Sequence, residues 1–294
     1  GTANSPTSLK MAGLNADCSR NSGYSIFDLG TSFAPIPGTS TVVGNLNTDY
    51  TVKGGMGKID YNLNDKNVIN AKYFFGTHTG TVVNNQTITQ PYWRPTDWAS
   101  VQFFGGQWNY IASSSVFNTF RVGYNRFYQT FETSDCPGSE GAPDYGVNFG
   151  YGTTKPNCGF TNVVINAYSG SIGCCSSFPK YYGPDNILEF IDGLSWLRGN
   201  HNIKVGGEFR NSDIGNGGTF NRGRGQTTFA TLSTFLSGTP TGNGQILVGD
   251  PRRNLKQKAF AGYVQDDWRV VPRITINVGV RYEYLTPLTE GNNK

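Results

Sequence analysis

Two adjacent carboxylates, Asp266 and Asp267, have the clearest potential for chemistry in this chain. A carboxylate pair can act as general acid and base, or it can hold a cation. Both residues lie in a stretch with strand periodicity, where neighbouring side chains point to opposite faces. The two carboxylates therefore cannot share one substrate, and we predict instead that they hydrogen-bond the turn that follows them.

The other candidate residues do not indicate a catalytic site, a cofactor site or a metal site. The two histidines, His78 and His201, are near opposite ends of strands without a cysteine or carboxylate cluster at ligand spacing, and His201 is predicted as a turn residue. The glycine-rich stretch Gly215–Gly225 lacks the Lys-Ser/Thr ending of a phosphate loop and is predicted as a surface loop. No hydrolase or metalloprotease motif is present, so an enzyme is not expected.

Four of the five cysteines fall in one irregular stretch rich in Gly, Pro and Ser: Cys136, Cys158, Cys174 and Cys175. Clustered loop cysteines predict disulfides and an oxidising compartment. A metal site is the alternative, although the spacings match no zinc pattern. The pairing stays open, and the odd count leaves one thiol over, either Cys18 or one of the adjacent pair.

The composition is typical of a β-rich secreted or outer-membrane protein. Only 15% of residues are charged and 36% are hydrophobic, whereas 14% are aromatic and 39 residues are glycine. The net charge of +4 is spread along the chain, so no nucleic-acid partner is expected. No apolar run is long enough for a transmembrane helix, but a transmembrane strand needs only about 9–11 alternating residues.

Strand periodicity is clearest from Ile274 to Tyr284, where Ile, Val and Tyr alternate with polar residues. The same alternation predicts eight strands in four hairpins, which are Met56–Leu63 with Val68–Thr77, Trp98–Ile111 with Val116–Phe131, Asn186–Leu197 with Asn202–Arg210, and the strand from Tyr263 with Ile274–Tyr284. Short turns alternate with long links at about 80–97, 132–184 and 211–255. A short helix is expected within Thr227–Gly238. We predict an irregular lead-in over residues 1–50 and a barrel segment over 51–294.

Alternation alone does not say whether the apolar faces meet a protein core or lipid. Short turns on one side and long loops on the other favour a transmembrane barrel with periplasmic turns and extracellular loops. The predicted fold class is therefore all-β, an antiparallel up-and-down transmembrane β-barrel segment of about eight strands. Its predicted lumen-lining residues are Lys58, Asp60, Lys72, Lys204, Glu208, Arg210, Arg281 and Glu283, with a merely solvated wall as the alternative. Its predicted aromatic girdle is Trp196, Trp268, Tyr282 and Tyr284.

Three stretches resemble the TonB-dependent receptors of the outer membrane, most closely their Oar-like branch. They are YVQDDWRVVPRITINVGVRYEY at Tyr263–Tyr284, LRGNHNIKVGGEFR at Leu197–Arg210 and TTFATLSTFLSGTP at Thr227–Pro240. In the last stretch, Thr-Leu-Ser-Thr replaces the small-Asp centre usual in the family's loop helix.

The resemblance implies a Gram-negative outer-membrane location and a role in binding or uptake of a bulky nutrient. Such receptors have a barrel of about 22 strands with a plug inside it and couple to TonB through a short box. Neither a plug nor a TonB box is recognisable here, so the chain is expected to be part of a longer receptor. Its implied partners are outer-membrane lipid, the plug and remaining strands, the TonB system and an unknown nutrient. The alternative is an extracellular structural or adhesion protein that assembles through open strand edges.

Overall fold

A computed structural model describes residues 4–21, 25–27, 33–39, 42–44, 47–82, 87–88, 93–133, 160–166, 168, 170–173, 180–219, 222–242 and 244–293. Its main element is an antiparallel sheet whose strand order equals the chain order. The long strands are β1 (Tyr50–Asn64), β2 (Asn67–Thr81), β3 (Pro95–Ser113), β4 (Val116–Thr133), β5 (Lys180–Arg198), β6 (His201–Thr219), β7 (Arg253–Val271) and β8 (Ile274–Leu285). This up-and-down arrangement confirms the predicted fold class.

Each hairpin turns through two residues, and all four turns lie at the same end of the sheet. The turns are residues 65–66, 114–115, 199–200 and 272–273. In the third turn, Gly199 has a φ of 60°, a backbone conformation that most side chains disfavour. The longer connections lie at the opposite end. We call the two ends of the sheet the turn end and the loop end.

Several strands extend further toward the loop end than the alternation predicts. Strand β5 begins at Lys180, six residues before the predicted Asn186, and β6 continues past Arg210 to Thr219. Backbone pairing continues there, since Lys180 pairs with Thr219. These extensions carry polar residues on both faces and therefore lack the apolar alternation that marks a strand. The links are correspondingly shorter than predicted.

The buried core lies at the loop end rather than within the sheet. A helix, α1 (Pro6–Ala12), begins at the Ser5 cap in a segment predicted to be irregular, and α2 (Leu232–Leu236) confirms the predicted loop helix. The two helices contact each other, and α2 also contacts a parallel strand pair, Asn162–Ile165 with Gln226–Phe229. We call the resulting cluster the loop-end core. Its buried members are Met11, Ala12, Ile26, Trp93, Phe160, Val163, Ile165, Ile172, Phe229 and Phe235.

Further short strands bring the total above eight. Phe33–Pro35 pairs with Val42–Gly44, and Thr87–Ile88 pairs with Gly170–Ser171. Thr289–Glu290 adds to the main sheet beside β7. None of the helices in the described ranges is long and apolar enough to cross a membrane.

The apolar face of the main sheet is not covered by any part of the chain that the structure describes. Val264, on an interior strand, keeps 45% of its surface exposed, and Val280 on β8 keeps 65%. Exposed aliphatic residues extend along whole strands, far beyond the scattered apolar residues normal on a soluble protein. This sheet therefore requires an apolar partner beyond the residues that the structure describes.

On the opposite face, the ring of Tyr263 packs against the backbone of two glycines. Gly193 and Gly206 face each other on β5 and β6, and Tyr263 lies opposite Gly206 on β7. A Cβ atom at Gly206 would lie 2.6 Å from Tyr263 Cε1 and 2.6 Å from the carbonyl oxygen of Asp192. Glycine is therefore required at this position for the aromatic ring to lie across the strand.

We expect Gly206→Ala to destabilise the sheet by about 1–3 kcal/mol, because the new methyl group overlaps backbone as well as ring. The measurement is the urea midpoint for loss of the folded band in detergent micelles. Gly207→Ala is the matched control, since its Cβ would meet only Ala261 O at 3.5 Å. Equal midpoints for the two variants would contradict this packing.

Candidate functional site

All eight residues predicted to line a lumen lie on one face of the sheet, which we call the inner face. The cross-strand register places Lys58, Lys72, Glu189 and Arg210 in one row. The adjacent row contains Asp60, Arg121, Glu208 and Glu283. The remaining predicted residues, Lys204 and Arg281, lie on the same face of β6 and β8.

Glu208 is the centre of an ion-pair network that crosses four strands, β5 to β8. Arg210 Nη2 lies 2.8 Å from Glu208 Oε1 and 2.8 Å from Glu189 Oε1. Arg281 Nη2 lies 3.1 Å from Glu208 Oε2, and its Nε donates to Glu283. These contacts fix long side chains that would otherwise be mobile in water.

The small side chain of Ala261 makes room for the contact between Arg281 and Glu208, the longest in the network at 3.1 Å. Ala261 lies between Glu208 and Glu283 in the register, on the strand that separates β6 from β8. A larger residue there would stand between the Arg281 guanidinium and Glu208. Alanine therefore leaves room for an ion pair across an intervening strand.

A second polar cluster lies nearer the turn end of the inner face. Lys204 Nζ lies 2.8 Å from Asp267 Oδ2, and Gln265 Nε2 donates to Asp267 Oδ1 at 2.9 Å. Asn202 adds a longer bond of 3.4 Å to the same carboxylate. Asp267 thus connects β6 and β7, whereas the sequence predicts that it bonds the turn.

Asp266 points to the other face, as the alternation predicts. Its Oδ2 lies 2.6 Å from His201 Nδ1, and the His201 ring stacks on Trp268. His201 is the first residue of β6 rather than a turn residue, because the turn needs only Gly199 and Asn200. The adjacent carboxylates therefore stabilise strand pairing on two different faces.

Between the two inner-face clusters is an open hollow of about 600 Å³, with Lys204, Tyr263, Gln265, Asn277 and Arg281 among its lining residues. Lys204 and Arg281 are each already paired with a carboxylate. The hollow therefore carries little net charge, and three valines, Val264, Val278 and Val280, line it beside the polar residues.

The β1–β3 part of the inner face is organised differently. Lys58 faces Lys72 directly across β1 and β2, and like charges in this position repel. Lys58 is neutralised by Asp60 at 2.7 Å, while Lys72 lies over the Phe103 ring, 5.2 Å from its centroid. Gly105 and Gly123 then separate this lysine pair from Glu189.

The sequence does not reveal a third polar group at the loop end of the inner face. His78 Nε2 lies 2.8 Å from Asp97 Oδ2, and Asp97 is only 7% exposed. Gln129 Nε2 is 3.4 Å from the same carboxylate oxygen. Only the register brings these residues from β2, β3 and β4 together, although the alternation places His78 on the inner face.

An arginine–carboxylate pair, Arg252 with Asp250, lies in the segment immediately before β7. Arg252 donates from Nε and Nη2 to the two carboxylate oxygens of Asp250, at 3.0 and 3.1 Å. These hydrogen bonds raise the pKa of the Arg252 guanidinium above its ordinary value. The pair thus remains ionised and fixes the approach of the chain to the sheet.

Of the predicted disulfide residues, Cys136, Cys158, Cys174 and Cys175 lie outside the described residues. Cys18 is exposed with a free thiol, and its Sγ accepts a hydrogen bond from Asn4 Nδ2 at 3.1 Å. Within the described ranges, no group of three or more His, Cys, Asp or Glu residues is arranged to hold a metal ion.

The family model of the outer membrane beta barrel domain matches residues 24–294. The chain belongs to this family. Its sheet also resembles the crystal structure of the outer membrane transporter YddB from Escherichia coli, with a TM-score of 0.55 and 12% sequence identity. The match covers 85% of this chain but only 30% of that structure's chain. The search of curated proteins gives no match.

Membership of an outer-membrane barrel family identifies the apolar face as the lipid-facing side of the wall. On β7 this face carries Phe260 and Val264, and it ends toward the turns with Asp266 and Trp268. On β8 the same face is apolar from Ile274 to Tyr284, a span of eleven residues that agrees with the roughly 9–11 that a tilted strand needs to cross the bilayer. The loop-end extensions of the strands therefore lie beyond the hydrocarbon.

Aromatic residues mark both ends of this lipid-facing band. Trp196 and Trp268 lie at the turn end, whereas Tyr282 and Tyr284 end the apolar face of β8 on the other side. All four are on the lipid-facing side, although their contact with headgroups stays a prediction. In the same row as Tyr284, aromatic rings lie side by side across three strands: Phe190 stacks on Phe209, and Phe209 contacts Phe260 at a tilt of 46°.

The orientation of the sheet is tested by placing one charge on either side of β7. We expect Val264→Arg to destabilise the folded barrel by about 2–4 kcal/mol, because the guanidinium enters the hydrocarbon. Gln265→Arg, one residue along and beside Asp267 on the inner face, should be nearly neutral. The measurement is reversible unfolding in lipid vesicles, and a reversed order would show that the faces are exchanged.

The ion-pair network is tested by removing its central charge. We expect Glu208→Gln to lower the urea midpoint in micelles more than Asp60→Asn does, because Glu208 pairs with two arginines and Asp60 with Lys58 alone. The difference between the two midpoint changes should become smaller at about 0.5 M salt, since screening weakens exposed ion pairs. A larger effect of Asp60→Asn would contradict the central role of Glu208.

Proposed function

We propose that the chain forms part of the wall of a TonB-dependent-receptor-like barrel that binds or takes up a bulky nutrient. The open edges of its sheet are the observation that carries this proposal. Among the described residues, no strand pairs with the outer edge of β1 or with that of β8. In lipid, each unpaired backbone group costs several kcal/mol, so both edges require further strands.

A wide barrel follows from this requirement. Eight strands that closed on themselves would have an interior filled by side chains, whereas many more strands enclose a large lumen. The chain spans about 30% of the length of the transporter it resembles, consistent with a partial wall. A wide lumen is compatible with a bulky nutrient and with an internal plug.

The inner face supplies polar contacts for such an occupant. Its ion-paired residues and the hollow beside Tyr263 present fixed donors and acceptors toward the lumen. The loop-end core adds a packed surface on the side where long loops of outer-membrane barrels meet the exterior. TonB coupling and the Oar-like branch rest on the sequence motifs at Leu197–Arg210, Thr227–Pro240 and Tyr263–Tyr284.

The open edges also favour a second function, a structural or adhesion protein that assembles strand to strand. Unpaired edges are ready templates for pairing with another chain. Edge pairing between copies would give ordered filaments, whereas a receptor would give single particles embedded in micelles. Imaging of the purified natural-length protein distinguishes these outcomes.

The transport proposal is tested with the natural-length protein in cells that have or lack a working TonB system. We expect cells that contain both the protein and a working TonB system to deplete at least one solute from a complex medium. This depletion should be at least about tenfold faster than in cells that lack the protein or lack TonB, as measured by mass spectrometry of the medium. The protein should also show heat-modifiable migration and an intact mass several times 32.1 kDa. Solute depletion that does not depend on TonB would contradict the proposed coupling to TonB. A protein that folds as a monomer in buffer without detergent would contradict the proposed membrane barrel.

A further inference from the structure

An aromatic and charged patch lies on the lipid-facing side at the turn end of β5, β6 and β7. The register aligns Arg198 with His201 and His201 with Trp268 across the three strands. Trp196 and Asp266 lie one step further along the same face. We call these five residues the turn-end patch. It occupies the border where the apolar band ends and the short turns begin.

The acidic residue of the turn-end patch is already engaged. Asp266 Oδ2 lies 2.6 Å from His201 Nδ1, and the imidazole stacks on Trp268 with centroids 5.4 Å apart and an interplanar angle of 11°. These contacts hold the His201 ring flat against the indole. The Asp266 carboxylate is therefore paired with His201 on β6 and makes no ion pair with the cation of the patch.

That cation, Arg198, has no carboxylate partner in the described parts of the chain. Its guanidinium carbon lies 5.2 Å from the centroid of the Trp196 ring, a cation–π geometry that orients the planar fork. Guanidinium remains charged at any ordinary pH, so beside hydrocarbon it must reach water or an anion. An oriented guanidinium fork at this border is suited to a bidentate anion.

Two further arginines lie at the turn end of the sheet: Arg269, near the end of β7 on the inner face, and Arg273, in the turn that follows. The Arg269 N–H donates to Asn200 O at 2.8 Å, which ties the turn between β5 and β6 to β7. The Arg269 guanidinium donates only weakly, at 3.4 Å, to the carbonyl of Pro272, and Arg273 completes that turn. Neither arginine forms an ion pair within the described ranges. The border is therefore locally basic.

We propose that the turn-end patch binds the phosphate of an anionic phospholipid in the leaflet next to the short turns. The Arg198 fork would hold two phosphate oxygens, with Trp196 and Trp268 against the upper acyl chains and glycerol. Arg273, in the neighbouring turn, would raise the local preference for a lipid with net negative charge. This inference depends on the membrane orientation of the sheet and not on nutrient transport or TonB.

The test is native mass spectrometry of the natural-length protein in micelles containing equal phosphatidylglycerol and phosphatidylcholine. We expect the wild type to retain phosphatidylglycerol preferentially, and Arg198→Gln to reduce that preference about fivefold. Arg121→Gln is the matched control, because it removes the same charge from the inner face. Heat-modifiable migration verifies that each variant is folded.

A wild type without lipid preference would overturn the proposal, as would an equal preference in Arg198→Gln and Arg121→Gln. Arg198→Lys is the second variant, chosen because it keeps the charge and loses the bidentate fork. It should retain phosphatidylglycerol less well than the wild type, and an unchanged preference would contradict recognition by the guanidinium. Inorganic phosphate should leave the retained lipid in place, whereas its displacement would reassign the patch as a general phosphate site.

Discussion

Hydrogen bonding of the backbone in lipid is the constraint on which the rest of this structure depends. No water satisfies N–H and C=O groups within the bilayer, so the chain crosses it only as strands that are paired along their full length. The continuous ladder from β1 to β8 meets that requirement for interior strands. The same requirement leaves the backbone groups on the two outer edges without partners among the described residues, which supports the proposal that the sheet belongs to a larger barrel.

A sheet that borders lipid and water has no conventional core, and this protein places its buried side chains elsewhere. The inner face gains order from ion pairs and from Tyr263 lying across glycine backbone, while the lipid-facing side gains it from stacked aromatic rings. Dense apolar packing is confined to the loop-end core, where parts of three connections and the chain before β1 meet. The described parts of the long connections therefore form packed structure of their own.

Small residues determine how far charges reach along the inner face. Ala261 leaves space for Arg281 to reach Glu208 across a strand, and Gly206 leaves space for the Tyr263 ring. Gly105 and Gly123 keep the lysine pair of β1 and β2 apart from the network centred on Glu208. The arrangement of charge in the wall thus depends on the positions of glycine and alanine as much as on the positions of the charged residues.

The sequence by itself determined which residues share a face, where the chain turns and that the chain is an outer-membrane barrel protein. Side-chain alternation is a local property of a strand, so it placed all eight charged residues correctly on one face and separated Asp266 from Asp267. Only the tertiary structure decided which charges meet, because pairing follows from the register between strands. Arg281 and Glu208 are 73 positions apart, and His78 meets Asp97 across β2 and β3. The loop-end core likewise depended on contacts between distant segments, for which a local periodic pattern carries no signal.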